Sequence, residues 1–594
     1  MSTSPDRGTE GLVTYTIYSE GAKIRDSFGI ISISVHKEVN RIGKATLVIS
    51  AGDMPAADVP ESNDDSFIPG KAIRIEAGYN SSGSMIFEGT VISHSLEIAE
   101  DNETVLRIEC RDYAFPATQV RKNHVFENMG DNAVIQKILG NYSSLKATVD
   151  STAGTHGSLV QYQCTDWDFI LSRADANGLV VIPDGRSIKV IKPVIGASPV
   201  LSVTYGMDVI AFSGTLNSAS QPVAVEAICW DAASQQVVTA SGSSPSVNAQ
   251  GNIDPVTLAG VNKQKKVLQT TTAGKDILKS WADAQWFKAA MGRYSGTIKF
   301  QGSAKAVPGC IIELKGLGAR FNGNAYSGSV THEISDGNWY TTVGMGISPE
   351  NITDSNDVSA PPASGLLAGI NGLQVGKVVK LDGDPEGEDR IQVEIPLLND
   401  DKNNVWARLA SFWAGSDHGA FFIPDVGDEV VLGFFNDNPC HAVVLGSLYS
   451  SSRKPSSGLT AKNDTRSIVT KSKMKIVFDE EKKIITLATP GNNTIEINDD
   501  GKSIRLSDQN SNSITMSESG ITIDSAKSLI LKAATGILIN AGEAVDIKGT
   551  SGIIMKAPNI EATADIAFTA KGNAQAELSA TGNVTVRGAM VMIN

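Results

Sequence analysis

No hydrophobic run in these 594 residues approaches the roughly 20 apolar residues that a membrane-spanning helix requires. Met1 to Gly11 is polar and lacks the apolar core of a secretory leader. The expectation is synthesis in the cytoplasm without a signal peptide, with any later export by another route. Cationic excess is missing too. Lys and Arg number 51 against 65 Asp and Glu, a formal net charge of −14, whereas phosphate backbones are bound by clustered Lys and Arg. Nucleic acid is therefore not an expected partner. Five cysteines, Cys110, Cys164, Cys229, Cys310 and Cys440, are odd in number and show no C-x-x-C spacing, which argues against a disulfide framework or zinc knuckle. They read as small buried hydrophobes.

Catalytic motifs are also wanting. There is no H-E-x-x-H, since His332-Glu333 continues with the wrong spacing; there is no G-x-S-x-G and no intact phosphate loop around Gly376-Lys377. Asp417-His418 and Cys440-His441 have metal-ligand chemistry, but loop and core histidines are the commoner use of that residue. The expectation is a protein that is not an enzyme, with no catalytic residue, cofactor or metal.

What is present is a repeat. Ile521/Ile523, Leu529/Leu531, Ile537/Ile539, Val545/Ile547 and Ile553/Met555 are apolar pairs spaced two apart, each starting eight residues after the last. After one slip of seven residues the register resumes through Ile560/Ala562, Phe568/Ala570, Ala576/Leu578, Val584/Val586 and Met592/Asn594. Side chains alternate along a strand, so each pair occupies one face, with Thr522, Asp546 or Thr585 on the other. Gly, Asn, Asp, Ser and Lys between the pairs allow corners. A fixed short period is a solenoid signature. Wound alone, the octads complete only about three three-walled turns, too few for a stable solenoid. Three chains around one axis supply one strand each per level and pair every open edge. The expectation is an intertwined triple-stranded β-helix, an obligate homotrimer.

The rest of the chain is mainly β. Residues 1–110 alternate with period two (Val13-Tyr15-Ile17, Ile31-Ile33-Val35, Ala45-Leu47-Ile49) and predict a first β-barrel. Residues 111–195 predict a small α/β insert. It has one helix after an Asp131 cap, closed near Gly140, and a second from Asp166 to Asn177, capped by Thr165 and stopped by Gly178. Residues 196–350 predict a second barrel, including Val223-Val225-Ala227. One helix near Gly274 to Met291 carries a stripe of Leu278, Trp281, Ala282, Trp286 and Ala289 expected to pack on that barrel. A Ser/Asp/Pro/Gly-rich linker at 351–369 precedes five short strands over 370–450, which suit an OB-fold barrel. Strand repeats stepping by nine or ten residues form a neck at 451–520, and the octads fill 521–594.

Within the OB segment, Trp406-Ala407-Arg408-Leu409-Ala410, Trp413-Ala414-Gly415, Phe422-Ile423-Pro424-Asp425-Val426-Gly427-Asp428-Glu429-Val430, Asp437-Asn438-Pro439 and Val444-Leu445-Gly446-Ser447-Leu448-Tyr449 resemble the OB domain of VgrG-type spike proteins. Asp166-Trp167-Asp168-Phe169-Ile170, with Arg173 and Gly178-Leu179, looks like the helix that follows that family's first barrel, and the octads resemble the phage T4-type tail needle. The resemblance implies a trimeric hub and spike in a contractile injection system: type VI secretion, an extracellular contractile particle or a phage tail. Its implied partners are a hexameric inner tube protein, other baseplate proteins, a PAAR-type tip protein and, optionally, effector cargo. Contact with the target membrane is transient, as the particle delivers the spike outward or into a target cell. By position, Met590, Val591, Met592, Ile593 and Asn594 are the expected tip-docking residues. The expected needle core comprises Ile521, Ile523, Leu529, Leu531, Ile537, Ile539, Val545, Ile547, Ile553, Met555, Val584 and Val586. The alternative is a trimeric tailspike-like protein that degrades polysaccharide or binds a receptor. A polysaccharide-cleaving version needs paired carboxylates and sugar-stacking aromatics, and beyond Tyr449 the only aromatics are Phe478 and Phe568.

Overall fold

The computed structural model describes residues 3–5, 11–101, 103–261, 263–271, 273–354, 358–398 and 404–593. They form two compact units, Met1–Leu448 and Tyr449–Asn594.

Alternation builds the first unit. In Gly29–Glu38, Ile33, Val35 and Lys37 point inward while Ser34 is exposed. This strand is central to a large antiparallel array. On one side follow Lys44–Ser50, Thr104–Arg111, Ser82–Ile98, Ala72–Tyr79, Val13–Ser19 and Ala22–Lys23. On the other lie Gly323–Ser335, Asn338–Met345, Tyr294–Gln301 and Val209–Leu216. Leu201–Thr204 and Ile311–Lys315 branch from Gly323–Ser335. Each half holds its own core. Ile33, Leu47, Ile73, Phe87 and Ile108 cluster in the first, and Val203, Ile298, Phe300, Leu314 and Val343 in the second. The halves share one ladder, running from Ser329 opposite Glu38 to Ser335 opposite Ser32.

The insert helices form at Asp131–Leu139 and Asp166–Ala176. Thr165 caps the second as expected, its Oγ1 accepting the Asp168 N–H at 3.0 Å. Gly178 follows that helix with φ +67°, a conformation suited to glycine. Asp131, by contrast, is no cap. Gly130 holds that position without a side-chain hydrogen bond, and Asp131 is a buried carboxylate inside the helix.

The long helix, Lys275–Met291, buries Leu278, Ala282, Trp286 and Ala289. Its apolar stripe does not lie on the second half, which only the C-terminal end of the helix reaches, where Met291 clusters with Ile311 and Tyr326 and Phe287 packs beside them. It covers a separate three-stranded sheet of Gln236–Ser241, Ala224–Asp231 and Lys265–Thr270, to which Val225 and Ala227 belong. Downstream, Gln374–Lys380, Ile391–Glu394, Val405–Leu409, Ala442–Ser447 and Glu429–Phe434 close a five-stranded barrel around Val378, Val393, Ala407, Val430 and Leu432.

The second unit opens with a seven-stranded antiparallel meander, Thr465–Val469 to Gly520–Asp524, in which every strand is five residues long and pairs with its neighbours in sequence. From 526 to 593 every residue is exposed and none is in a strand. A ladder needs a partner, and a short strand followed by a corner leaves none within its own chain.

Candidate functional site

The meander sets up an apolar face. Cross-strand partners stand directly opposite, so Ile476, Leu487, Ile495, Leu506, Ile514 and Ile523 form one column. Phe478, Ile485, Ile497, Ile504, Met516 and Ile521 form a second beside it. Between them, Val477, Thr486, Glu496, Arg505, Thr515 and Thr522 face the other way. The apolar face is uncovered within one chain: Phe478, Leu487, Ile495, Ile497, Ile504, Leu506, Met516, Ile521 and Ile523 are all exposed. A contiguous apolar surface of this extent marks an interaction site.

The octads continue that face. Of the expected core residues, Ile521 and Ile523 are brought against Met516 and Ile514. Leu529, Leu531, Ile537, Ile539, Val545, Ile547, Ile553, Met555, Val584 and Val586 have no strand partner within the chain and are exposed. Alternation persists there: Ile554 is 93% exposed, against 55% for Ile553 and 71% for Met555. Leu538 likewise exceeds Ile537 and Ile539, and Ile530 exceeds Leu529 and Leu531. These three outward residues are apolar where Thr522, Asp546 and Thr585 are polar, a feature that the octad pattern alone had not singled out. Of the tip residues, Met590, Val591, Met592 and Ile593 are exposed, and Asn594 lies outside the described residues.

The residues considered for chemistry belong to the first unit. His418 Nδ1 is 2.7 Å from the Ser416 carbonyl oxygen, beside the Trp413 ring. Cys440 is exposed, which corrects its expected burial, whereas the other four cysteines are buried. His332 is buried, its Nδ1 3.0 Å from Thr341 Oγ1. Burial, assisted by the Lys37 charge, lowers its pKa to about 3 and keeps the ring neutral. Among the described residues, no group of three or more His, Cys, Asp or Glu is placed to hold a metal ion, and no helix is long and apolar enough to cross a membrane.

The family model of the Alg8 N-terminal domain matches residues 9–336, more than half of the chain. The chain belongs to the Alg8 N-terminal domain family. Behind that Alg8-type region, residues 374–449 match the type VI secretion system/phage-baseplate injector OB domain, and 484–545 the phage baseplate V C-terminal trimerisation domain. The latter span starts in the meander and ends in the fourth octad. Among curated proteins, the chain is 34% identical over 76 residues to a Vibrio cholerae type VI secretion system spike protein, VgrG3, covering 11% of this chain and 8% of the relative. It is 41% identical over 69 residues to Pseudomonas aeruginosa VgrG4b, another spike protein of that system, covering 12% and 8%. The chain thus spans under a tenth of these relatives' length. A solved E. coli type VI secretion component, described as similar to T4 bacteriophage tail proteins, covers 73% of this chain and 99% of its own at 12% identity and a TM-score of 0.39. The Alg8-type chain thus carries an injector-type OB domain and a baseplate-type trimerisation domain, and its fold is mainly β.

Proposed function

We propose that three copies of this chain form the central spike and baseplate hub of a contractile injection system. The carrying observation is the two-column apolar face that runs from Ile476 to Ile523 and continues into the octads, uncovered within one chain. Three copies bury it against one another and pair the octad strands between chains. Two hub halves per chain, times three chains, offer six related units to a hexameric inner tube, and the octads taper the assembly to a threefold needle. Met590 to Asn594 dock a PAAR-type tip, and other baseplate proteins and effector cargo bind the hub and shaft. The work is mechanical: sheath contraction drives the spike through a target membrane, and the chain itself performs no catalytic step.

Native mass by light scattering tests this reading. A mass near three times 62.6 kDa is expected, and a monomer refutes it. Deleting Gly588 to Asn594 is expected to leave the trimer intact and to abolish capture of a purified PAAR-type protein, whereas retained capture removes the tip assignment.

A further inference from the structure

The first unit contains a cleft of about 740 Å³ that the spike reading does not use. Its floor is a second row of the long helix. Ile277, Trp281 and Gln285 recur every four residues and so share one side, next to the Leu278, Ala282 and Trp286 stripe on the three-stranded sheet; Trp281 also packs against that core and Leu278 also borders the cleft. Arg173 and its neighbours on the second insert helix form the opposite wall. Leu268 and Thr270 of strand Lys265–Thr270 border the third side. That strand pairs with Ala224–Asp231 alone among the described residues, so its other edge presents open backbone N–H and C=O groups.

Two features point to a ligand. Gln285 is only 3% exposed, yet its Oε1 has no hydrogen-bond partner. A primary amide is both donor and acceptor, which suits a peptide backbone. The ionic groups of the cleft are already neutralised: Arg173 pairs with Asp131 at 2.7 Å, and Asp175 with Lys288 at 2.6 Å. The cleft therefore offers no free charge for a phosphate or a charged metabolite. Outside it, Lys266 lies on the same strand face as Leu268, is exposed and has no acidic partner among the described residues. Apolar wall, unpartnered amide, open strand edge and flanking cation together describe a receptor for an extended chain.

We infer that this cleft binds an extended peptide segment of a partner protein. The peptide adds as a strand to the free edge of Lys265–Thr270, places an apolar side chain against Ile277 and Trp281, offers backbone polar groups to Gln285 and sets an acidic residue near Lys266. The inference rests on residues of the first unit, so peptide binding and trimer mass are read in separate experiments.

The test is selection of a displayed library of random 12-residue linear peptides on the full chain. A synthetic copy of the leading sequence is then titrated by fluorescence anisotropy. Enriched peptides are expected to combine apolar and acidic residues. Affinity should fall at least tenfold in Gln285→Leu and Trp281→Ser and severalfold in Lys266→Glu. Bound peptide should slow hydrogen exchange within Lys265–Thr270. Gln285→Leu and Lys266→Glu carry the test if Trp281→Ser fails to fold. No enriched peptide, equal affinity for Gln285→Leu and Lys266→Glu, or exchange protection confined to another region would overturn the inference. Reduced thermal stability of Gln285→Leu would overturn it as well, because the amide would then be satisfied by water within the folded chain.

Discussion

Ile553 and Ile554 are chemically identical neighbours, and the octad alternation gives them opposite fates on assembly. Ile553 shares a face with Met555, and Ile554, 93% exposed, looks the other way. Replacing each in turn by Thr therefore isolates direction from chemistry, and Thr already occupies the outward position at Thr522 and Thr585. An inward Ile→Thr change forfeits about two methylene equivalents and buries a hydroxyl, roughly 1.5–3 kcal/mol per chain. Threefold symmetry multiplies this to about 5–9 kcal/mol per trimer. Outward, the change stays within about 0.5 kcal/mol per chain. For a trimer folding with association, the midpoint concentration varies as the square root of the equilibrium constant. Ile553→Thr is thus expected to raise it by about two to three orders of magnitude, while Ile554→Thr barely moves it. Dilution series read by light scattering and by heat-induced loss of the trimer measure both. Equal effects of the two substitutions would refute the alternation, and an undisturbed Ile553→Thr trimer would refute burial of that face.

Three further outcomes follow from the first unit. Asp131→Ala strips a buried carboxylate from Arg173, Asn177 and His156, which lie 2.7–3.1 Å away; the stranded guanidinium should cost about 3–5 kcal/mol, read as a lower urea midpoint from Trp167 fluorescence in the same core. His332, at about 3 in the folded protein, lies below its unfolded value of about 6.5. Stability should consequently decline as pH falls from about 6.5 toward 3, because the unfolded chain takes up the proton first; His332→Gln should flatten that limb in urea midpoints measured at several pH values. Burial pushes the Cys110 thiol up to about 12 and Cys164 up to about 11, while Cys440 is exposed. A maleimide reagent should therefore label one thiol per native chain and five in denaturant.

Features encoded locally were legible in the sequence. Thr165 and Gly178 bracket their helix because capping chemistry involves residues only a few positions apart. The octads were visible because repetition amplifies a weak two-residue signal. Features requiring distant partners were not. Asp131 suits a cap by residue type, but Arg173, 42 positions on, makes it the centre of a buried ion pair. The long helix showed its stripe and not its target, since Val225 alternates equally well in a barrel or in a three-stranded sheet. The joining of the hub halves depends on Ser32 to Glu38 meeting Ser329 to Ser335 across nearly three hundred residues. Of the candidate sites, the octad apolar pairs have a period in the sequence, whereas the cleft beside Gln285 has no linear signature. Its walls come from separate segments of the first unit.

The contrast between the meander and the octads has a kinetic consequence. Meander strands pair with their immediate neighbours in sequence, the low contact order that allows rapid formation. A newly made chain can therefore present its two apolar columns before any octad is ordered. Once three such surfaces meet, the octad tails are tethered together, and their pairing becomes a matter of effective concentration rather than chance encounter. Winding then proceeds outward level by level from Asp524, and a fault in a late octad frays the far end without dissolving what was wound before it.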